Sequence, residues 1–373
     1  MTGAGPTGAG PTGAGLTGDE PGRVTRTTKG SYLASGLALA IVGALAVVPV
    51  VSGLNVVNDL TQLFILFVMG TMWNLLAGYC GLVSIGLQGF LGLGGYALLA
   101  LADHNGVEPY LALVLGALFC GVAALLTSLV AFRLRGGYFA VGTWVVAEIF
   151  SLITAQISTL GGGSGTALMS LSNFGPEARL HDTYWAALSC AAVGFAGVWL
   201  LLRTRTGLTL VASRDDEGGA RSLGARSVVA KRTAFAVAGL GCGAAGGLFL
   251  LSNLDIVPSS AYSVDLSAYM IFIVLIGGLG TIEGPVMGAV VFWAIQLEFA
   301  SYGAYYLIGL GVLAVFMTLV LPGGIAGAIR RFTHGDPFPI GYTLLPARQG
   351  PAPGARQGSP LEQDGLALPD AHA

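Results

Sequence analysis

The chain has 373 residues, of which 54% are hydrophobic and only 10% charged, with 59 glycines and a formal net charge of −2. A mean hydropathy of +0.76 excludes an ordinary soluble domain. The near-neutral balance, with basic residues scattered among loops, excludes a nucleic-acid partner.

Residues 1–30 open with "TGAGPTGAGPTGAG", a Gly/Pro/Thr/Ala repeat that cannot bury apolar surface, so a disordered N-terminal extension is expected. It does not read as a signal peptide, because Arg23, Arg26 and Lys29 precede an apolar run long enough to span a bilayer. Apolar segments then follow at 33–53, 60–78, 82–102, 110–131, 138–157, 184–202, 233–253, 266–280, 285–299 and 304–321. Since about 20 apolar residues cross a bilayer as helix, and these runs lack the alternation of barrel strands, the sequence predicts an all-α polytopic membrane protein with about ten transmembrane helices. The segment 82–102 is interrupted by "GLQGFLGLGG", and 266–280 and 285–299 are short and separated by "TIEGP", so half-helices or kinks are expected there. Residues 330–373 turn polar and read as a disordered Pro/Gly tail.

Charge sets an expected orientation. With the N-terminus cytoplasmic, ten crossings put Arg133, Arg135, the whole 203–232 segment, Arg330 and Arg331 inside, and the C-terminus with them. The outer loops then hold Asp59, Asp103, Glu108, Glu177, Asp182, Asp255 and Asp265, with Arg179 as their only basic residue. The expected organisation is a cytoplasmic extension over 1–30, a membrane domain over 31–329 and a cytoplasmic tail over 330–373.

The 203–232 segment, "RTRTGLTLVASRDDEGGARSLGARSVVAKR", is a polar island with seven basic residues. Ser213 and Asp216 have capping-box spacing, Asp215, Asp216 and Glu217 suit a first turn, and Gly224 suits a helix stop, which predicts a short helix over 213–224. Gly218 and Gly219 weaken it by about 1 kcal/mol each relative to alanine, so it needs a partner surface. The same arginines would also serve simply to set topology, and composition does not separate the two readings.

Polar, aromatic and glycine residues inside the apolar segments are the candidates for a solute path. These are Ser84, Gln88, Phe90 and Tyr96 in the first broken segment, Phe139, Thr143 and Glu148 in 138–157, and Gly277, Gly278 and Gly280 before the second break. An ionisable group in a spanning helix is costly unless it faces a cavity or partner, which singles out Glu148. Glu283 reads as a solvated turn residue. The glycines suit either path walls or close helix packing. The aromatic belt accounts for Tyr138 and Trp185. Cys80, Cys120, Cys190 and Cys242 lack CxxC spacing and His104, His181, His334 and His372 lack ligand spacing, so neither a metal site nor catalysis is expected.

Five ordered stretches resemble one family. They are "GYCGLVSIGLQGFLGLGGYALLALA" (78–102), "RLRGGYFAVGTWVVAEIF" (133–150), "LGGGSGT" (160–166), the run from Thr206 through "ASRDDEGGARSLGARSVVAKR" and the helix after it, and "VLIGGLGTIEGPVMGAVV" (274–291). Together they are similar to the LivM-type permease subunits of branched-chain amino-acid ABC importers. The resemblance implies a bacterial cytoplasmic-membrane permease that forms a translocation path with a second, similar permease subunit. It also implies an extracytoplasmic solute-binding protein and two cytoplasmic ATPase subunits that carry ATP and Mg. Under it, Ser213, Arg214, Asp215, Asp216, Glu217, Ala220, Arg221, Leu223 and Gly224 form a coupling helix that docks on the ATPase. This chain has no GxxxxGK[ST] loop, and its lysines, Lys29 and Lys231, do not follow glycine, so the chain itself is not expected to be an enzyme or to hold a cofactor. Relatives that move urea or short amides leave the substrate open, and an ion-coupled secondary transporter is the rival class.

Overall fold

A computed structural model describes residues 24–25, 29–171, 175–299, 303–321, 323–333 and 343–344. The expected extensions over 1–30 and 330–373 lie mostly outside these residues. Within them, Val24–Thr25 pairs antiparallel with Thr343–Leu344 as a small separate unit.

The body, residues 27–340, is helical. Its helices are α1 (Lys29–Val51), α2 (Leu54–Asn74, continued by a π turn over Leu75–Tyr79), α3 (Gln88–Leu99, continued by a π turn over Ala100–His104), α4 (Pro109–Ala131) and α5 (Gly137–Gln156). Then come α6 (Pro176–Arg203), α7 (Arg205–Asp215), α8 (Glu217–Ser222), α9 (Ser227–Asn253), α10 (Pro258–Ala261), α11 (Val264–Gly277), α12 (Gly284–Phe299), α13 (Ala304–Val320) and α14 (Gly324–Thr333). Each of the ten apolar segments contains a helix. Seven helical stretches are long and apolar enough to cross a membrane, and Gly36–Val51 and Gly284–Phe299 are apolar but shorter. Helix starts follow local chemistry: Pro109 and Pro176 occupy first positions where the missing N–H costs nothing, and the Glu108 carboxylate accepts from Leu111 N at 2.8 Å.

Helix α3 is the buried axis of the bundle, packed against α9, α4 and α5, with α10 and α11 touching it as well. Small residues allow this. A Cβ on Gly94 would overlap the Gly243 backbone, and one on Gly246 would overlap the Leu91 carbonyl, so α3 and α9 touch main chain to main chain. Such contacts replace the hydrophobic driving force that lipid cannot supply between helices. The outward faces are apolar: α4 exposes Leu111, Leu118, Val122 and Leu126, and α13 exposes Ile308, Val312, Val315 and Leu319.

Candidate translocation path and coupling segment

The first break is real and sharper than a kink. Between Cys80 and Leu87 the chain leaves the helix, and α3 resumes only at Gln88. Main-chain groups in such a stretch must find partners inside the protein. Leu82 N donates to Leu76 O at 2.9 Å, and Trp73 Nε1 donates to Ser84 O at 2.9 Å. Around this turn four buried polar side chains converge. Ser84 Oγ bonds Thr143 Oγ1 of α5 at 3.1 Å, and Ser267 of α11 contacts Gln88 Oε1 and donates to Ile85 O at 2.8 Å.

The Ser267 hydroxyl has one proton and cannot serve both acceptors. If that proton goes to Ile85 O, Gln88 must turn its amide NH2 toward Ser267 and leave its carbonyl oxygen free. In the opposite amide orientation, Gln88 Nε2 has no hydrogen-bond partner. Either way one buried amide atom of Gln88 is unpaired, at a cost of about 1–3 kcal/mol. A polar molecule entering this cluster would relieve that imbalance.

Farther along α3, away from the break, aromatic rings pack against one another. Tyr96 stacks on Tyr262 with centroids 6.1 Å apart, and Tyr262 shares a 2.8 Å hydrogen bond with Thr154 of α5. The "LGGGSGT" stretch, 160–166, is anchored beside them: Thr166–Ala167 pairs with Asp255–Ile256, and a Cβ on Gly165 would meet the Ile256 carbonyl. Phe90 lies between the two, edge-on to Phe150 and Phe235.

The second break ties α2 to the polar segment. Gly278 and Gly280 turn the chain with φ of 128° and 73°, conformations that favour glycine. Asn74 clamps this turn, donating to Thr281 O at 2.8 Å and accepting from Gly280 N at 2.9 Å. Arg214, at the end of α7, donates to Gly78 O at 2.7 Å and lies beside Gly280. One guanidinium therefore joins the polar segment to the end of α2 and to the turn before α12.

The helix expected over 213–224 is two helices instead. Ser213 is inside α7 and buried, and its hydroxyl bonds Ser227 Oγ at 2.8 Å, so it caps nothing. Asp216 breaks the helix with extended backbone, and its carboxylate accepts from Gly218 N at 2.9 Å. Gly219 is what makes room, since a Cβ there would crowd that carboxylate. Gly224 has φ of 81°, and Ala225 N bonds Ala220 O, the closure of a Schellman stop. Glu217 pairs with Arg221 and with Lys231 Nζ at 2.9 Å, and Ala220 is buried beneath the turn. The hydrogen bond from Lys231, with further attraction from Lys231 and Arg221, holds the Glu217 carboxyl below its ordinary pKa despite partial burial. The ion pair is thus intact at neutral pH, and its contribution is lost only as pH falls through that lowered value. At the tip, Leu223 is 91% exposed, a large apolar side chain held away from the body. Asp215 is exposed and pairs with Arg214 at 3.0 Å.

A cavity of about 480 Å³ opens beside this segment, lined by Gly81, Leu82, Arg135, Phe139, Glu217 and Lys231 among others. It brings the first break and the polar segment to one space.

Ser84, Gln88 and Thr143 are brought together as path candidates; Phe90 and Tyr96 continue the same axis; Phe139 lines the cavity; Gly277, Gly278 and Gly280 form the second turn. Glu148 is apart from all of them, on the exposed face of α5. Glu283 is not solvated: it is buried and pairs with Arg330 of α14 at 2.8 Å, because the short turn tucks it under that helix. The sequence reading missed Asn74, Ser267, Tyr262 and Ser227. The signal for Asn74 is an amide within the apolar run "GTMWNLL", but its partners lie more than 200 positions away. Among the described residues no group of His, Cys, Asp or Glu could hold a metal ion, and all four cysteines are free.

A bundle of apolar helices around an interrupted, polar-lined axis, with a rigid polar projection at one end, defines a membrane permease. The model of the family described as branched-chain amino acid transport system / permease component matches residues 55–324, and the chain belongs to that family. It is a transport subunit and a multi-pass protein of the cytoplasmic membrane. It is 27% identical to the high-affinity branched-chain amino acid transport system permease protein LivM of Salmonella typhimurium, over 72% of this chain and 69% of that one. The LivM protein of Escherichia coli is also 27% identical, over 79% and 76%. The autoinducer 2 import system permease protein LsrC of Photorhabdus luminescens is 27% identical over 43% of this chain and 52% of its own. No solved structure matches.

Proposed function

We propose that the chain is the permease subunit of an ATP-driven importer and that α7 and α8 form its coupling element toward a cytoplasmic ATPase. The observation that carries this reading is the presentation of Leu223. Covering a leucine held out on a tip would gain about 1.5–3 kcal/mol, and the tip is braced by the Glu217–Lys231 and Ser213–Ser227 contacts. Such a knob suits a cleft on a soluble partner. Behind it, Arg214 offers a stiff route from the tip to Gly78 and Gly280, where both breaks of the bundle converge.

In this scheme both termini are cytoplasmic, ten segments cross the membrane, and two ATPase subunits bind ATP and Mg. A second, similar permease subunit completes the path, and an extracytoplasmic binding protein delivers cargo. The Tyr96–Tyr262 stack then closes the outer end. The names of the LivM relatives favour leucine, isoleucine and valine as cargo, with urea or short amides as the alternative. The test is co-purification in mild detergent from membranes that express the whole system. The intact chain should bring down the ATPase, and Leu223→Asp or a Gly/Ser linker over 213–224 should lose it. Equal recovery from all three would refute the coupling assignment.

A further inference from the structure

Helix α5 carries the only acidic or basic side chain that the described residues place in the middle of a spanning helix. Glu148 lies eleven residues after Gly137 and eight before Gln156, about 16 and 12 Å from the two ends at 1.5 Å per residue. Its neighbours at helical spacing, Val141, Val145 and Leu152, are exposed with it, whereas Phe139, Thr143, Ala147 and Thr154 turn inward. Glu148 has no hydrogen bond or ion pair among the described residues.

The exposed faces of α4 and α13 differ: at comparable positions they present Leu118, Val122, Val312 and Val315. Hydrocarbon accepts those faces, but not an unpaired carboxylate at mid-depth. Nor would a second copy of this chain neutralise it, since no basic side chain of the described residues lies at that depth. Water held at a contact with another chain satisfies such a carboxylate. The helix starts at water, because Gly136 and Phe139 border the cavity beside the polar segment.

We propose that the Val141–Leu152 stripe of α5 is this chain's wall of a water-filled seam against a second permease chain, and that Glu148 is the charged group of that wall. The proposal rests on the importer reading for the identity of the second chain. It separates the buried polar cluster at Gln88, inside one chain, from the surface where two chains meet.

The test uses the assembled transporter in membranes, with E148C, V145C and L152C on the stripe and L118C and V312C as lipid-side controls. Three of the native cysteines are buried and the fourth half-buried, so the unaltered chain serves as the blank. A cationic, membrane-impermeant methanethiosulfonate reacts with thiolates, which require water, and the stripe should label at least about ten-fold faster than the controls. The positions V145C and L152C keep the test decisive if E148C does not assemble. Stripe labelling no faster than L118C and V312C overturns the proposal. Uptake in matched membranes carrying the unaltered chain, which no stripe substitution can impair, reports separately on the importer reading. ATP-driven uptake with an unreactive stripe places the seam elsewhere and refutes the proposal alone, whereas a reactive stripe without ATP-driven uptake supports a watered face and refutes the importer.

Discussion

Gln88 shows how much one side chain can concentrate. It is fully buried, it starts the axial helix, and one of its amide atoms has no partner. Replacing it by methionine, close in volume and without polar atoms, removes the unpaired atom while Ser267 keeps its bond to Ile85 O. Deleting such a group is neutral or stabilising. Gln88→Met should therefore hold or raise the thermal midpoint in detergent and lower uptake by about ten-fold if the amide meets cargo, a loss near 1.4 kcal/mol. A variant that transports normally would show the amide to be only structural. Ser84, Gln88 and Thr143 were legible as polar residues in apolar runs. Ser267 was not, because 179 positions separate it from Gln88 and nothing local ties them.

Among the elements, α8 departs most from its sequence pattern. Capping-box spacing pointed to Ser213, but a buried hydroxyl with a tertiary partner at Ser227 is not free to cap, so Asp216 takes the role. The glycine pair that weakens a helix in isolation is here the space into which the Asp216 carboxylate folds. Gly219→Pro should abolish uptake and leave membrane insertion unchanged. The reason is the added carbon beside Asp216 rather than a broken helix, since Gly219 lies in the first turn, where proline is tolerated. Normal uptake by this variant, read beside its level in the membrane, would argue against α8 as the coupling element. The ten apolar segments were readable from length and hydropathy. Their ends were not: α3 starts six residues later than the apolar run, because the buried turn before it is satisfied by Trp73 and Leu76.

At the scale of the whole molecule, the two breaks, the polar segment and the cavity form one connected structure, through Trp73, Asn74 and Arg214. Reconstitution tests what that connection is for. Liposomes with this chain alone should take up no leucine. Adding the second permease, the ATPase subunits and the binding protein should give uptake that requires ATP and persists with a protonophore. Collapse of uptake on adding the protonophore would favour ion coupling instead. The solute accepted should follow the binding protein supplied, tested with leucine, isoleucine and valine against urea and acetamide.

Sequence by itself determined the solvent, the helical class and the location of the polar island, because each depends on composition and spacing along a short stretch. The family resemblance was equally readable, since its motifs are contiguous. Only the tertiary structure decided which polar residues meet, that Glu283 is buried while Glu148 faces outward, and that Leu223 stands free at the tip. Those outcomes depend on which helix faces pack together, and glycine-rich helices with little difference between their faces do not announce that in one dimension.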